Sequence, residues 1–360
     1  MNLRFHWMLP KGGEVALRTA REAARYRILS TSSDSHAPRP DMEGWVRFAR
    51  HAEEAGIESI LISFSRYEPD PFLVSCALGQ ATQKLKFIAA FRSGLMQPTT
   101  FVQQVNTLSA LIGGRVALNI VAGSSSAEQR GYGDFLAHDE RYARADEFLA
   151  ICHAFWRDEG EVDFEGKYYR VEGGKLHTPF LAPGRRAPEI YVSGHSEQAE
   201  RLALARGSCW LRLIDTPEKL RLSLNRFREQ DIEVCLRLCV ICRQTREDAI
   251  EAAMSLLPGD EIAEQERGIL TRSDSQTLKQ ALAAADDVGW MNRNLWAGLV
   301  PYYGSSAITL LGSPEELAEM FLQYKRIGVT QFIISGWPKL EEMIIFGRDV
   351  IPLVRDLEGR

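Results

Sequence analysis

Short apolar runs rich in β-branched residues alternate along the chain with longer stretches in which hydrophobic side chains recur every three or four positions. The first pattern predicts strands and the second amphipathic helices, and their regular alternation predicts parallel βα units. Eight runs qualify as strands: 4–9, 59–64, 85–91, 116–122, 189–193, 208–213, 233–242 and 331–334. Most are continuously hydrophobic, as strands covered on both faces are. Among the helices, Trp45, Phe48, Ala49, Ala52 and Ala55 lie on one face before Gly56 ends the turn and a strand begins at Ser59. Leu317, Met320, Phe321, Tyr324 and Ile327 repeat the design, with Gly328 ahead of the strand at Gln331. Both follow the rule of an apolar stripe closed by a glycine cap. Eight such units predict an α/β fold of the (β/α)8 TIM-barrel type. The alternative, a doubly wound open sheet, lacks its Gly-x-Gly-x-x-Gly after the first strand.

Two stretches break the alternation. Polar and apolar residues alternate over 161–169 and 172–178 around Gly166 and Gly173-Gly174, which predicts a β-hairpin within an insertion at about 159–188. A second insertion, about 258–309, begins with a polar, weakly periodic segment at 258–293. In a barrel it emerges at the catalytic face, which makes it a candidate lid; an insertion without a catalytic role is the alternative. The expected organisation is one domain over 1–360, since barrels of this length are routinely single units.

The chain is 45% hydrophobic and 25% charged with a net charge of −5, a globular composition with no basic run suited to a phosphate backbone. No run approaches ~18 apolar residues and the amino terminus has no secretory pattern, so the expected location is cytoplasmic, away from membrane and nucleic acid. Cys235, Cys239 and Cys242 have suggestive spacing, but in a strand Cys239 and Cys242 face opposite ways. Buried structural cysteines are the expectation there, with no metal.

In a barrel, function gathers at the carboxyl ends of the strands. Those positions hold Ser63, Ser65, Arg66, Tyr67, Glu68 and Asp70, then Arg92 and Ser93, then Asn119, Gly123, Ser124 and Ser125. After the fifth strand, Ser193-Gly194-His195-Ser196 leads into a helix, where backbone N–H groups make an anion site or the serine serves as an ordinary cap. Asn119 lies inside Ala117-Leu118-Asn119-Ile120-Val121, where its amide needs a partner from a ligand or from a neighbouring strand.

Several segments together carry a family resemblance. They are Gly114-Arg115-Val116-Ala117-Leu118-Asn119-Ile120-Val121-Ala122-Gly123-Ser124, then Gly131-Tyr132-Gly133 and His138-Asp139-Glu140-Arg141-Tyr142. Leu85 to Arg92, Val162 to Lys167, Asn294 to Gly298, and Ser335-Gly336-Trp337-Pro338 with Leu340-Glu341-Glu342 add to them. The chain resembles the bacterial luciferase-like flavin monooxygenases over nearly its whole length, nearest their alkanesulfonate branch.

The resemblance implies reduced FMN at the strand ends, a flavin (hydro)peroxide formed with O2, a separate NAD(P)H:flavin reductase, and a homodimer or homotetramer. On the cofactor side it places Asn119, Ser125, His138, Tyr142 and Arg92, with Gly194, His195 and Ser196 on the phosphate. On the substrate side it places Arg66, Glu68, Asp70, Arg237, Cys239, Tyr303 and Trp337, of which Arg237, Glu68, Trp337 and Tyr303 are the candidate catalytic residues.

Three positions depart from the sulfonate pattern. Glu68 stands for a cysteine, Cys239 for a histidine and Tyr303 for an arginine. One cation fewer and one carboxylate more weaken an anion clamp, so the expected substrate is neutral, zwitterionic or cationic, such as a specialised-metabolism intermediate. Alkanesulfonate desulfonation, deazaflavin-dependent hydride transfer and a non-catalytic flavin-binding role are the alternatives.

Overall fold

The computed structural model describes residues 1–11, 41–66, 68–123, 126–227, 230–257, 276–285 and 289–359. Its strands are β1 (Arg4–Met8), β2 (Ser59–Ile62), β3 (Lys86–Phe91), β4 (Val116–Ile120), β5 (Val162–Glu165), β6 (Arg170–Gly174), β7 (Glu189–Ser193), β8 (Cys209–Leu213), β9 (Glu233–Cys242), β10 (Leu295–Trp296), β11 (Thr309–Gly312) and β12 (Gln331–Gly336). Strands β9-β12-β1-β2-β3-β4-β7-β8 follow one another in the main sheet, and β8 also pairs with β9. These are the eight runs that the hydrophobic pattern predicts, and the fold is a (β/α)8 barrel. The boundary between two compact units runs through β2 and β8: one unit comprises Met1–Ile60 with Arg212–Arg360, the other Leu61–Leu211.

In the first unit β1 pairs in parallel with β12, Phe5 opposite Phe332, and β12 pairs with β9, Ile333 opposite Arg237. Phe5, Phe321, Phe332 and Phe346 make the aromatic centre of its core, with Phe321 and Phe332 edge to face at 4.7 Å. Ser313 and Glu316 form a capping box on helix Pro314–Arg326, and Leu317, Phe321 and Tyr324 are buried on its inner face. At the amino ends of the strands His6 Nδ1 lies 3.0 Å from Ser59 Oγ and its Nε2 lies 2.9 Å from Gln331 Oε1. The amide nitrogen of Gln331 donates to Glu233, whose carboxylate also takes Arg4 at 2.9 Å. With the Gln331 amide donating to Glu233, its Oε1 accepts from His6 Nε2, and Ser59 meets the ring at Nδ1.

In the second unit β3, β4, β7 and β8 pair in parallel, with Ala90, Asn119 and Tyr191 side by side. Phe72, Phe91, Phe101 and Phe148 fill its core, Phe91 and Phe101 stacked at 4.2 Å. The predicted hairpin is present as the antiparallel pair β5–β6.

The segment expected as an insertion at 258–309 is more structured than its sequence suggests. Helix Gln276–Ala284, the short strand β10 and the start of β11 fall within it. β11 pairs in parallel with the second half of β9, Thr309 opposite Cys239. Most of the candidate lid, 258–275 and 286–288, lies outside the described residues. Cys235, Cys239 and Cys242 are buried in β9. Among the described residues no helix is long and apolar enough to cross a membrane.

Candidate functional site

The residues expected on the cofactor side all belong to the second unit. Gly194, just past β7, has φ +144, a backbone region open to glycine and strained for other residues. A Cβ there would sit 2.6 Å from the Ala199 methyl and 2.7 Å from the Tyr142 hydroxyl. Ala199 and Tyr142 thus pack directly on the Gly194 backbone where β7 turns into helix Glu197–Arg206, leaving no room for a side chain. Ser196 caps that helix through the Ala199 N–H at 3.2 Å, and Trp210 Nε1 fixes the Gly194 carbonyl at 2.9 Å.

Tyr142 comes to the same place from helix His138–Arg157. It is only 8% exposed and hydrogen-bonds to Ser196. Burial raises its pKa, against the lowering effects of Ser196 and Arg141, so the phenol stays protonated and able to donate. His138, one turn earlier on the helix, stacks obliquely on Tyr142 at 5.0 Å and touches Asp139 at 2.7 Å. His195 is half-buried beside Gly194. Glycine backbone, helix N-terminus and neutral phenol form a cradle whose chemistry fits a phosphate.

Asn119, 5% exposed, answers one question left open by the sequence: Ser193 Oγ on the neighbouring β7 donates to its Oδ1 at 2.6 Å. Arg92 at the end of β3 is 6% exposed. Glu128 binds its Nη2 at 3.0 Å, and the rings of Phe64 and Tyr132 flank the guanidinium at 5.0 and 5.6 Å. Its Nε and Nη1 are buried with no hydrogen-bond partner among the described residues. Two orphaned donors on a buried cation are costly unless an acceptor joins them. Ser125 lies outside the described residues, as do Tyr67 and Ser124.

The residues expected on the substrate side divide between the units. In the second, Ser63 Oγ donates to Glu68 Oε1 at 2.7 Å, whereas the Asp70 carboxylate is taken up in capping helix Pro71–Ala81 through Phe72 and Leu73. Arg66 is exposed, with its backbone N–H on Glu128. In the first unit Trp337 and Tyr303 come together, rings 5.9 Å apart, within a cluster that includes Ile241, Leu299 and Leu311. The Tyr303 hydroxyl donates to the Leu256 carbonyl at 2.8 Å, and Lys339 sits 4.0 Å above the Trp337 ring. Arg237 is half-buried and reaches the Met8 sulfur at 2.8 Å. Burial raises the pKa of the Cys239 thiol, which keeps it neutral.

Sequence reasoning missed two supports. Gln129 and Arg141 both donate to the Ala122 carbonyl, at 2.7 and 2.9 Å, and hold the backbone just beyond β4. Glu128 and Tyr132, which enclose Arg92, come from helix Ser126–Gly131 and the turn after it. Gly131-Tyr132-Gly133 marks that turn in the sequence, but nothing there says which side chain it meets.

The profile described as luciferase-like monooxygenase matches residues 5–331. Among solved structures the chain is similar to an EDTA monooxygenase from Chelativorans sp. BNC1, at 20% identity and a TM-score of 0.75 over 99% of this chain and 94% of that one. It is also similar to a riboflavin lyase solved with modified FMN and riboflavin, at 19% and 0.76 over 99% and 92%. A third is an F420-dependent secondary alcohol dehydrogenase, at 16% and 0.67 over 99% and 100%. At such identities the structures speak for the shared fold alone, whereas the profile spans nearly the whole sequence. By that match the chain belongs to the luciferase-like monooxygenase family and is an oxygenating enzyme.

Proposed function

We propose that the protein is the oxygenase component of a two-component system, taking reduced FMN from a separate NAD(P)H:flavin reductase and using O2 to oxygenate a small organic substrate. The observation that carries this reading is the cradle at Gly194, where the glycine conformation, the start of helix Glu197–Arg206 and the Tyr142 phenol suit the phosphate of FMN. Gly194, His195 and Ser196 hold the phosphate; Asn119, Ser125, His138, Tyr142 and Arg92 complete the cofactor side. Bound reduced flavin supplies the electrons that activate O2. The protein's own part is to orient the flavin, exclude water and position the substrate.

The substrate is not a simple alkanesulfonate. Glu68 is a carboxylate braced by Ser63, Cys239 is a neutral thiol, and the Tyr303 hydroxyl is engaged with a backbone carbonyl. None of the three supplies a cation for a sulfonate. A neutral, zwitterionic or cationic compound fits better, with Arg237, Glu68, Trp337 and Tyr303 as the residues that act on it. The test is O2 consumption by the purified protein with a flavin reductase, NADH and FMN, against matched panels of alkyl amines, amino acids and alkanesulfonates. Efficient sulfite release from alkanesulfonates overturns the substrate class, and tight binding of reduced deazaflavin in preference to reduced FMN overturns the cofactor.

Self-association as a homodimer or homotetramer belongs to the same proposal. Helices Pro71–Ala81 and Pro98–Leu111 contain no Asp, Glu, Lys or Arg in a chain that is 25% charged, and Leu73 and Leu111 stand exposed on them. An uncharged outer face of this kind suits burial against a second copy. Light scattering of wild type and Leu73→Glu checks it, with a shift toward monomer expected in the variant.

A further inference from the structure

The hairpin β5–β6 interrupts the barrel pattern and has no part in the reading above. Its turn is held from below by Glu147, whose carboxylate accepts backbone N–H groups from Lys167, Tyr168 and Tyr169 at 2.9, 2.8 and 3.2 Å. That grip delivers Tyr169 into the core, 8% exposed and 5.8 Å from the Phe148 ring. Its hydroxyl donates to the backbone carbonyl of Ser93 at 2.6 Å. Burial pushes the Tyr169 phenol up to about 12, so it is a permanent donor.

Ser93 follows Arg92 in a tight turn closed by the Leu95 N–H on the Arg92 carbonyl at 3.1 Å. Arg144 comes close to the same turn. A Cβ on Gly94 would lie 2.0 Å from Arg144 Nη2, and Arg144 is tied to Asp134 at 2.5 Å. The backbone that carries Arg92 is thus hydrogen-bonded by Tyr169 and closely approached by Arg144 of the Arg144–Asp134 pair.

We infer that the hairpin serves as a positioning device for Arg92, with Tyr169 as the residue that transmits it by pinning the Ser93 carbonyl. The inference rests on the reading of Arg92 as a flavin-contacting residue. The geometry gives it a purpose, because Arg92 carries two buried donors without partners among the described residues and must hold them in place for an incoming acceptor.

The test is a double-mutant cycle on reduced-FMN binding, read anaerobically by quenching of protein fluorescence, with melting temperatures as the control for folding. Tyr169→Phe keeps the ring and removes the hydroxyl, and is expected to raise the FMN Kd by about 3- to 10-fold. In an Arg92→Ala background the same change is expected to shift Kd by less than about 1.5-fold, because a positioning effect disappears with the residue positioned. Glu147→Gln loosens the turn without entering the core, and is expected to move Kd in the same direction and to lose its effect in the same background. An equal factor in both backgrounds overturns the inference while leaving the cofactor reading intact. Failure of the wild type to bind reduced FMN saturably overturns the cofactor reading and the inference with it.

Discussion

Two groups of buried polar side chains behave in opposite ways. At the amino ends of β1, β2, β9 and β12, His6, Ser59, Gln331, Glu233 and Arg4 meet one another in a continuous chain of contacts. At the carboxyl ends of β3, β4 and β7, Arg92 holds donors without protein partners among the described residues, and Gly194 presents bare backbone that Ala199 and Tyr142 approach too closely for a side chain. Buried polarity that is spent on itself stabilises, whereas buried polarity left open invites a ligand. This separation of stability from function along the strand direction is general in barrels.

Four experiments break or sharpen the contrast, in order of falling effect. Replacing His6 by Leu strands Ser59 and Gln331 in the interior, and is expected to cost about 3–5 kcal/mol in denaturant unfolding, with the FMN Kd of the remaining folded protein unchanged. Gly194→Ala should act on both: about 2–3 kcal/mol lost from FMN binding, roughly 30- to 150-fold in Kd, with about 1–3 kcal/mol lost in unfolding from the strained φ and the contacts with Ala199 and Tyr142.

Third comes the Glu342 carboxylate, fully buried between the Cys242 N–H at 2.6 Å and Arg243 at 2.7 Å. Burial raises its pKa to about 7 despite Arg243. The folded protein therefore binds this proton more tightly than the unfolded chain, whose value is 4.5. The group's contribution to stability is complete below pH 4.5 and falls as pH rises through 7, by on the order of 3 kcal/mol. Melting curves across that range should show the decline in wild type and a flatter profile in Glu342→Gln; an equal slope in both assigns the decline to other groups. Smallest is Tyr142→Phe, expected to weaken FMN binding by about 3- to 10-fold through loss of one donor, with a melting temperature near that of wild type.

The strands and the hairpin were legible because burial on both faces writes itself into composition, and the turn glycines mark where each run stops. β11 was harder to see. Its Thr309–Gly312 run has four residues and is preceded by a short helix and a 3-10 turn, Val300–Tyr303 and Ser305–Ala307, so neither a period nor a βα spacing announces it. For the site, Gly194 and Asn119 could be singled out from a polar or glycine residue in the wrong local company. Gln129 and Arg141 could not, since their role is to hold the Ala122 carbonyl from a neighbouring helix, and such a contact leaves no local trace. Asp70 shows the converse: a carboxylate at a strand end whose side chain is consumed by a helix cap.

Strand β9 is ten residues long and changes company partway, with β8 alongside its earlier part and β11 alongside Cys239 to Cys242. Without β11 the later half would leave a bare row of backbone donors and acceptors, the kind of border on which other polypeptides assemble. β11 seals that border, and β10 then closes the row with two residues, Leu295 and Trp296, a stub too brief to recruit a further chain. Protection against aggregation is therefore built into a stretch of sequence that reads, at first sight, as a mere interruption.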